Sequence, residues 1–486
     1  MKIHASLIAS ALFLSAGLPA LAAPATPEEA TRLAGVFQSY LGREPGVVTV
    51  SPTGEAYEVK LDFMPLVKKM AKPDFSGEIT PLVMTLADQG GGQWLVTQDQ
   101  PISFSAKSPG SLDVVAKFGG LKSSAVFDQN LSAFTRSTTD MTDISVDETV
   151  TTPESGAMHI AYNMKSVHYD TTAAASGADT VDGTMHVTMA GLAEMVNAPA
   201  SATMATPIDI TITAEKGVQD GTLKGVKTQA IFQLVSWFVA HAPEKTIKSN
   251  EVEFKKLIAA SLPLFENVTM AGMAKNISVT TPIGSVGMAS LGFDLGLNGV
   301  VANGMLHEGF KVDGLTLPAG IVPPWANDLV PLSFGLDFKV TDFDLSAPAK
   351  IMLDTMDLAK NSPSTPEENA TLLKALLPKG AVSVSMGPSK VTAKLYDLDY
   401  VGAVTAGPFG PPAGEATITA KGFDQVMDAL KAAPPEMVGK AIPGLIAARG
   451  MAKTEADGSL SWKIENTMSG GVLVNGIDVT KMGSGN

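Results

Sequence analysis

The chain has 486 residues, with 35 Lys and Arg against 49 Asp and Glu, a formal net charge of −14 and no cysteine. The missing thiols exclude disulfides, thiolate nucleophiles and thiolate metal sites. The acidic balance repels phosphate backbones, so no nucleic acid is expected as a partner.

At the N-terminus, Lys2 is followed by an apolar run from Ala5 to Leu18 and the small-residue stretch Ala20-Leu21-Ala22. This is the layout of a secretory signal peptide, 1–22, with cleavage expected after Ala22. Loss of Lys2 would take the net charge from −14 to −15. The remainder has no second apolar run near the roughly 18 residues that a spanning helix needs. The expectation is a periplasmic protein with no membrane span after cleavage.

"ATPEEATRLAGVFQSYLG" predicts a helix with Thr26 as N-cap, Pro27 at the first helical position, Glu29 closing a capping box and Gly42 as the stop. Period-two alternation then takes over in "EAYEVKLDF", "QWLVTQDQ", "IDITITA", "SLGFDLGL", "KVTAKLYDL" and "GSLSWKIE". In "SLGFDLGL", Leu291, Phe293, Leu295 and Leu297 share one side, opposite Gly and Asp. Strands of a parallel α/β sheet, buried on both faces, read instead as unbroken apolar runs.

Helical spacing returns at "KTQAIFQLVSWFVAHAPEK" and "EVEFKKLIAASLPLF", which predict a helical hairpin over 227–266. A further helix is expected over 366–377, capped by Ser364 or Thr365 and closed by Pro378. The fold class that follows is α+β and predominantly antiparallel β, with one or more long curved sheets and short amphipathic helices packed on one face or at the ends. A β-rich half over 23–226 and another over 267–486 flank the hairpin.

One pattern recurs. "GEATITAKGFDQVMDAL" (414–430) aligns without gaps on "GEAYEVKLDFMPLVKKM" (54–70), with Phe423, Val426, Met427 and Leu430 standing where Phe63, Leu66, Val67 and Met70 stand. "GTMHVTMAGLAEMVNAP" (183–199) reads as a weaker copy, with Gly191 on Gly422 and Leu192, Met195 and Val196 in the helical slots, and "FKVTDFDL" (338–345) as a frayed fourth. Apolar spacing is kept while polar residues vary, so the unit is expected to be a strand–helix building module and not a reactive site.

Candidate chemistry is sparse. His159 and His168, nine apart in "MHIAYNMKSVHYD", would fall on opposite faces of one strand, whereas a turn at Asn163 would bring them together beside Asp170 as a His-His-Asp metal site. Scattered polar-face histidines, with His186, His241 and His307, are the commoner outcome, and no ligand spacing of a known metal motif occurs. Asp397 with Asp399 and Asp342 with Asp344 stand at period two, as glycosidase carboxylates or, more often, as solvated strand edges. No nucleophile elbow and no phosphate loop is present. No catalytic residue, cofactor or metal is expected. Methionine is abundant, at 23 residues, and serves either as core filler or as a lining for varied apolar ligands. In "GLTLPAGIVPPWANDLVP", Trp325 and Leu329 offer an apolar rim, and with Phe293 they form the candidate ligand-binding set.

The segments "FVAHAPEK", "LIAASLPLF", "VTTPIGSVGM", "GLTLPAGIVPPWANDLVP" and "VLVNGIDVTK" together resemble a family of exported alphaproteobacterial proteins classed as a domain of unknown function. The architecture is more loosely similar to AsmA-like envelope proteins, whose long antiparallel sheets form an apolar groove for acyl chains. The resemblance implies a non-enzymatic envelope protein whose partner is a lipid or other amphiphile. A secreted hydrolase acting on a polysaccharide or ester, and an outer-membrane β-barrel, are the alternatives. Few aromatics for interfacial girdles and the central amphipathic helices count against the barrel.

Overall fold

A computed structural model describes residues 24–70, 74–152, 156–200, 206–241, 244–359, 365–408, 410–439, 441–467 and 470–480. The expected signal peptide lies outside the described residues.

The strands before the central helices are β1 (Val48–Thr53), β2 (Ala56–Leu61), β3 (Ser76–Ile79), β4 (Leu82–Gly90), β5 (Gln93–Ser108), β6 (Leu112–Asp128), β7 (Ala133–Thr152), β8 (Gly156–Ala175), β9 (Val181–Ala198) and β10 (Ile208–Val226). After them come β11 (Asn267–Thr281), β12 (Gly284–Asn298), β13 (Gly304–Asp313), β14 (Pro331–Phe343), β15 (Val382–Ala393), β16 (Asp397–Gly407), β17 (Gly410–Lys421), β18 (Lys453–Thr454), β19 (Leu460–Asn466), β20 (Val472–Val474) and β21 (Ile477–Asp478). Every pairing is antiparallel. From β5 to β17 each strand pairs with the next in chain order. The order β1–β2–β4–β5 extends this ladder at one edge and β17–β19–β20–β21 at the other. The central helices interrupt the chain without interrupting the sheet, because β10 pairs directly with β11. Among the described residues no pair joins β1 to β19, β20 or β21, so the sheet is open.

A row of irregularities crosses the sheet. Registered pairs skip one residue in each strand at Gly119 and Asp143, Asp143 and Lys165, Lys165 and Gly191, Gly191 and Glu215, Glu215 and Asn276, and Asn276 and Ala289. On alternate strands the extra residue takes a positive φ: 50° at Asp143, 66° at Gly191 and 52° at Asn276, residue types that tolerate this region. Inserted residues bend a strand and strengthen its twist. Across this crease the apolar residues step by three, as in Met141 and Ile144, Met164 and Val167, Met189 and Leu192, or Met288 and Leu291.

The crease corrects one expectation. Residues 183–199 are not a strand–helix module; β9 runs through them as strand. The Met189-to-Leu192 step that mimics a helical period comes from the inserted Gly191. The other copies do turn into helix. β2 leads to α2 (Met64–Met70), β14 to α6 (Ser346–Thr355), and β17 to α8 (Phe423–Lys431) through Gly422 at φ 76°.

The remaining helices sit beyond the strand ends. Near the β6–β7 turn lie α1 (Pro27–Leu41), α3 (Thr228–Ala240) and, after α4 (Glu244–Ser249), α5 (Glu251–Ser261). Thr228 Oγ1 donates to the Leu131 carbonyl at 2.5 Å, which ties α3 to that turn. The link between α6 and α7 (Pro366–Leu376) is held to α5, with Leu358 N donating to Glu251 Oε2 at 2.8 Å. At the opposite strand ends lie a 3-10 turn, Pro324–Leu329, and α8, α9 (Pro435–Val438) and α10 (Ala441–Met451). Thr365 and Glu368 form a full capping box on α7. On α1 only half of the expected box exists. Thr26 accepts from Glu29 N, but the Glu29 carboxylate binds Arg32, and Thr26 N donates to the Tyr57 hydroxyl instead.

Two clusters of buried residues lie at the sheet edges. One cluster joins Ala30 and Leu33 of α1 to Tyr57, Val59, Leu61, Leu86 and Trp94. The other joins Ala420, Leu460 and Trp462, whose Nε1 donates to the Ala448 carbonyl of α10 at 2.7 Å. The described residues include only 26 buried hydrophobic side chains. On the middle strands the buried ones are spread thinly, among them Ile144, Met164, Val187, Ala214, Ile277 and Val312.

Candidate functional site: an apolar sheet face and its end cavity

The register places one residue from each of ten adjacent strands in a single row: Gln98, Ser123, Thr139, Tyr169, Val187, Gln219, Gly272, Phe293, Phe310 and Leu336. Side chains alternate between faces, so this row and its neighbours two residues away share one face. Those neighbours are chiefly Val96, Ala125, Met185, Met270, Leu295 and Phe338 on one side, and Leu121, Met141, Val167, Met189, Leu291 and Phe334 on the other. Phe293 is 41% exposed, Phe310 38% and Leu336 49%. Single exposed apolar residues are ordinary, but a registered run of them on one face is the mark of a binding surface.

At the β4–β7 end this face passes under helices. α1 contributes Leu33, Val36 and Phe37, α3 contributes Phe232, and the sheet contributes Trp94, Val96 and Phe134 to a cavity of about 380 Å³. The Tyr40 and Phe232 rings meet edge to face at 5.5 Å, which closes the seam between the two helices. An apolar cavity of several hundred Å³ is of the size that holds small hydrophobic ligands. Phe134, at its mouth, is 47% exposed.

The other face is polar, and its histidines are paired with carboxylates across strands. His168 Nδ1 lies 2.7 Å from Asp140 and its Nε2 2.8 Å from Asp170; His186 Nδ1 lies 2.6 Å from Asp220. His159 meets Asp147 at 3.0 Å and His307 meets Asp337 at 2.8 Å. Hydrogen bonds to Asp140 and then Asp170 hold the His168 imidazolium, raising its pKa above the ordinary histidine range, while Thr138 and then His168 lower that of Asp170. Sequence reasoning found His168 with Asp170 but missed Asp140 and Asp220, because partners across strands are set by register and not by spacing.

The structure removes the proposed His-His-Asp site. β8 is continuous through Asn163, with no turn there, and the insertion at Lys165 shifts the alternation so that both histidines belong to the polar set. Nine residues of strand still separate them by about 30 Å. No group of three His, Asp or Glu with metal-holding geometry occurs among the described residues.

Three of the four candidate carboxylates have structural partners. Asp344 accepts from Ser346 N at 2.7 Å and Ala347 N at 3.0 Å at the start of α6. Burial pushes its carboxyl up, but these bonds hold it below the usual range. Asp342 pairs with Lys379 at 2.6 Å, and Asp397 accepts from Thr392 Oγ1 at 2.8 Å.

Of the three candidate ligand residues, Phe293 stands in the middle of the apolar row, while Trp325 and Leu329 lie in the 3-10 turn that packs on α8. The Leu329 carbonyl accepts from the Tyr396 hydroxyl at 3.3 Å. None of the three lines the end cavity. The residues that do, Leu33, Val36, Trp94, Phe134 and Phe232, come from three distant stretches of sequence. Their signal in the sequence was the helical spacing of α1 and α3 and the alternation of "QWLVTQDQ" around Trp94.

No family model matches the chain, and no curated protein matches it. A structural comparison finds the siderophore receptor PirA from Acinetobacter baumannii, at 9% identity and a TM-score of 0.16. The match covers 75% of this chain and about half, 49%, of the receptor chain; at that score the likeness carries no argument.

Proposed function

We propose that the protein is a non-enzymatic, exported envelope protein of the periplasm that holds the acyl chain of a lipid or other amphiphile against the apolar face of its sheet. The single observation that carries this is the exposed run of Phe293, Phe310 and Leu336 on adjacent strands, continuous in register with residues leading to the end cavity. Leaving such a surface in water forfeits about 25 cal/mol for each Å² of apolar area, a cost that a bound chain removes. The reading agrees with the resemblance to AsmA-like proteins. The open ladder and the helices beyond both strand ends fit a carrier better than a closed transmembrane barrel.

The test is native mass spectrometry of the protein released from the periplasm by osmotic shock. A population heavier by the mass of a lipid, removed by organic extraction, supports the reading. A clean apo mass, with the protein found in the membrane fraction, overturns it.

A further inference from the structure

Where β4 leaves β5, one polar group is stranded. The last registered pairs on that edge are Thr85 with Thr97 and Leu86 with Val96. β5 is next paired on that side at Phe104, by Ile79 of β3. Between these points the gap is bridged by Gln100, whose Oε1 accepts from Val83 N at 2.7 Å and whose Nε2 donates to the Pro81 carbonyl at 3.0 Å. Gln98 has no such arrangement. Its Nε2 is buried and makes no hydrogen bond. A buried donor without an acceptor is costly, and among the described residues Gln98 Nε2 shares that state with Trp237 Nε1.

Gln98 stands at a boundary on the apolar face. On one side, Val96 leads into the end cavity, and a second cavity of about 260 Å³, lined by Gln98, Ser123, Ala125, Phe134 and Ser137, shares Val96 and Phe134 with the first. Next to Gln98 in the row come Ser123 and Thr139, whose hydroxyls bond each other at 2.9 Å. An apolar chamber is therefore joined to a small polar band with a spare donor. Gln98 and Ser123 also border a cavity that Lys60 and Lys122 line, but strand alternation puts both lysines on the opposite face. In the two chamber cavities the one cation is Arg32, which is ion-paired to Glu29 at 2.6 Å. A donor set that is neutral suits a neutral acceptor, not a phosphate.

We propose that the Gln98–Ser123 band is the polar subsite for an amphiphile bound at this end of the face, seven strands from Phe293, with Gln98 Nε2 donating to the ester or amide carbonyl that joins that molecule's acyl chain to its headgroup, and its chain running into the cavity under α1 and α3. This rests on the acyl-binding reading and adds the linkage class that the site selects.

Trp94 lines the end cavity and serves as a reporter. The purified protein is titrated with a monoacylglycerol brominated on its acyl chain and, separately, with a brominated alkane of equal length, reading tryptophan quenching. The ester is expected to bind about tenfold more tightly than the alkane, and Gln98→Leu to abolish that margin without weakening the alkane. Removing an unpaired buried amide should leave the melting temperature of the free protein unchanged or higher, which guards against misfolding as the cause. Quenching by both probes that Gln98→Leu does not alter overturns the subsite and leaves the acyl reading standing. No quenching by either probe overturns both.

Discussion

Gly191 of β9 stands opposite Lys165 of β8 with no ladder pair between them, and a β-carbon added to Gly191 would lie 2.9 Å from the Lys165 Cβ. The glycine has φ 66°. Both facts come from the crease, whose inserted residues face one another strand after strand.

Gly191→Val should therefore cost about 2–3 kcal/mol, from a β-branched side chain forced into the left-handed region and against its neighbour. Urea unfolding followed by circular dichroism measures it. A loss below about 0.5 kcal/mol would mean that the crease relaxes freely.

Gly35 gives the opposite sign. It lies inside α1 with nothing within 4 Å of an added β-carbon. Gly35→Ala should stabilise the protein by about 0.5–1 kcal/mol through helix propensity, seen as a higher urea midpoint at unchanged slope.

The paired histidines predict a pH dependence. His168 has a pKa raised by Asp140 and Asp170, so its contribution to stability is fully present below the unfolded value of about 6.5 and is lost as pH rises through the higher folded value. The melting temperature of the wild type minus that of His168→Asn should shrink as pH rises above about 6.5. Histidine NMR should place the His168 midpoint above that of a model peptide; a midpoint at or below it contradicts the pairing.

Leu336 and Val401 separate surface from stability. Both are about half exposed, at 49% and 51%, but Leu336 is on the apolar row, whereas Val401 alternates with Tyr400 and Gly402 and belongs to the polar set. Leu336→Asp should reduce co-purified lipid about tenfold or more while moving the melting temperature only slightly. Val401→Asp should leave lipid content unchanged.

Much of the fold was legible because caps and alternation are local. Thr365, one of the two expected caps, started α7, Gly42 ended α1, and "SLGFDLGL" showed its one-sided strand. The misreading of 183–199 has a physical cause: apolar residues three apart, such as Met189 and Leu192, arise both from a helical turn and from a strand with an inserted residue. The site was less legible. Phe293 was visible as the apolar side of one strand, but its alignment with Phe310 and Leu336 depends on register. The end cavity joins α1 and α3, about 200 residues apart in the chain.

The central claim is that an acyl chain lies on the apolar sheet face. Photo-crosslinking with a phospholipid carrying a diazirine in its acyl chain, followed by peptide mapping, tests it most directly. Adducts should concentrate at Phe134, Phe293, Phe310 and Leu336. Absence of light-dependent adducts, or adducts confined to polar-face residues such as Met273 and Val401, would contradict it.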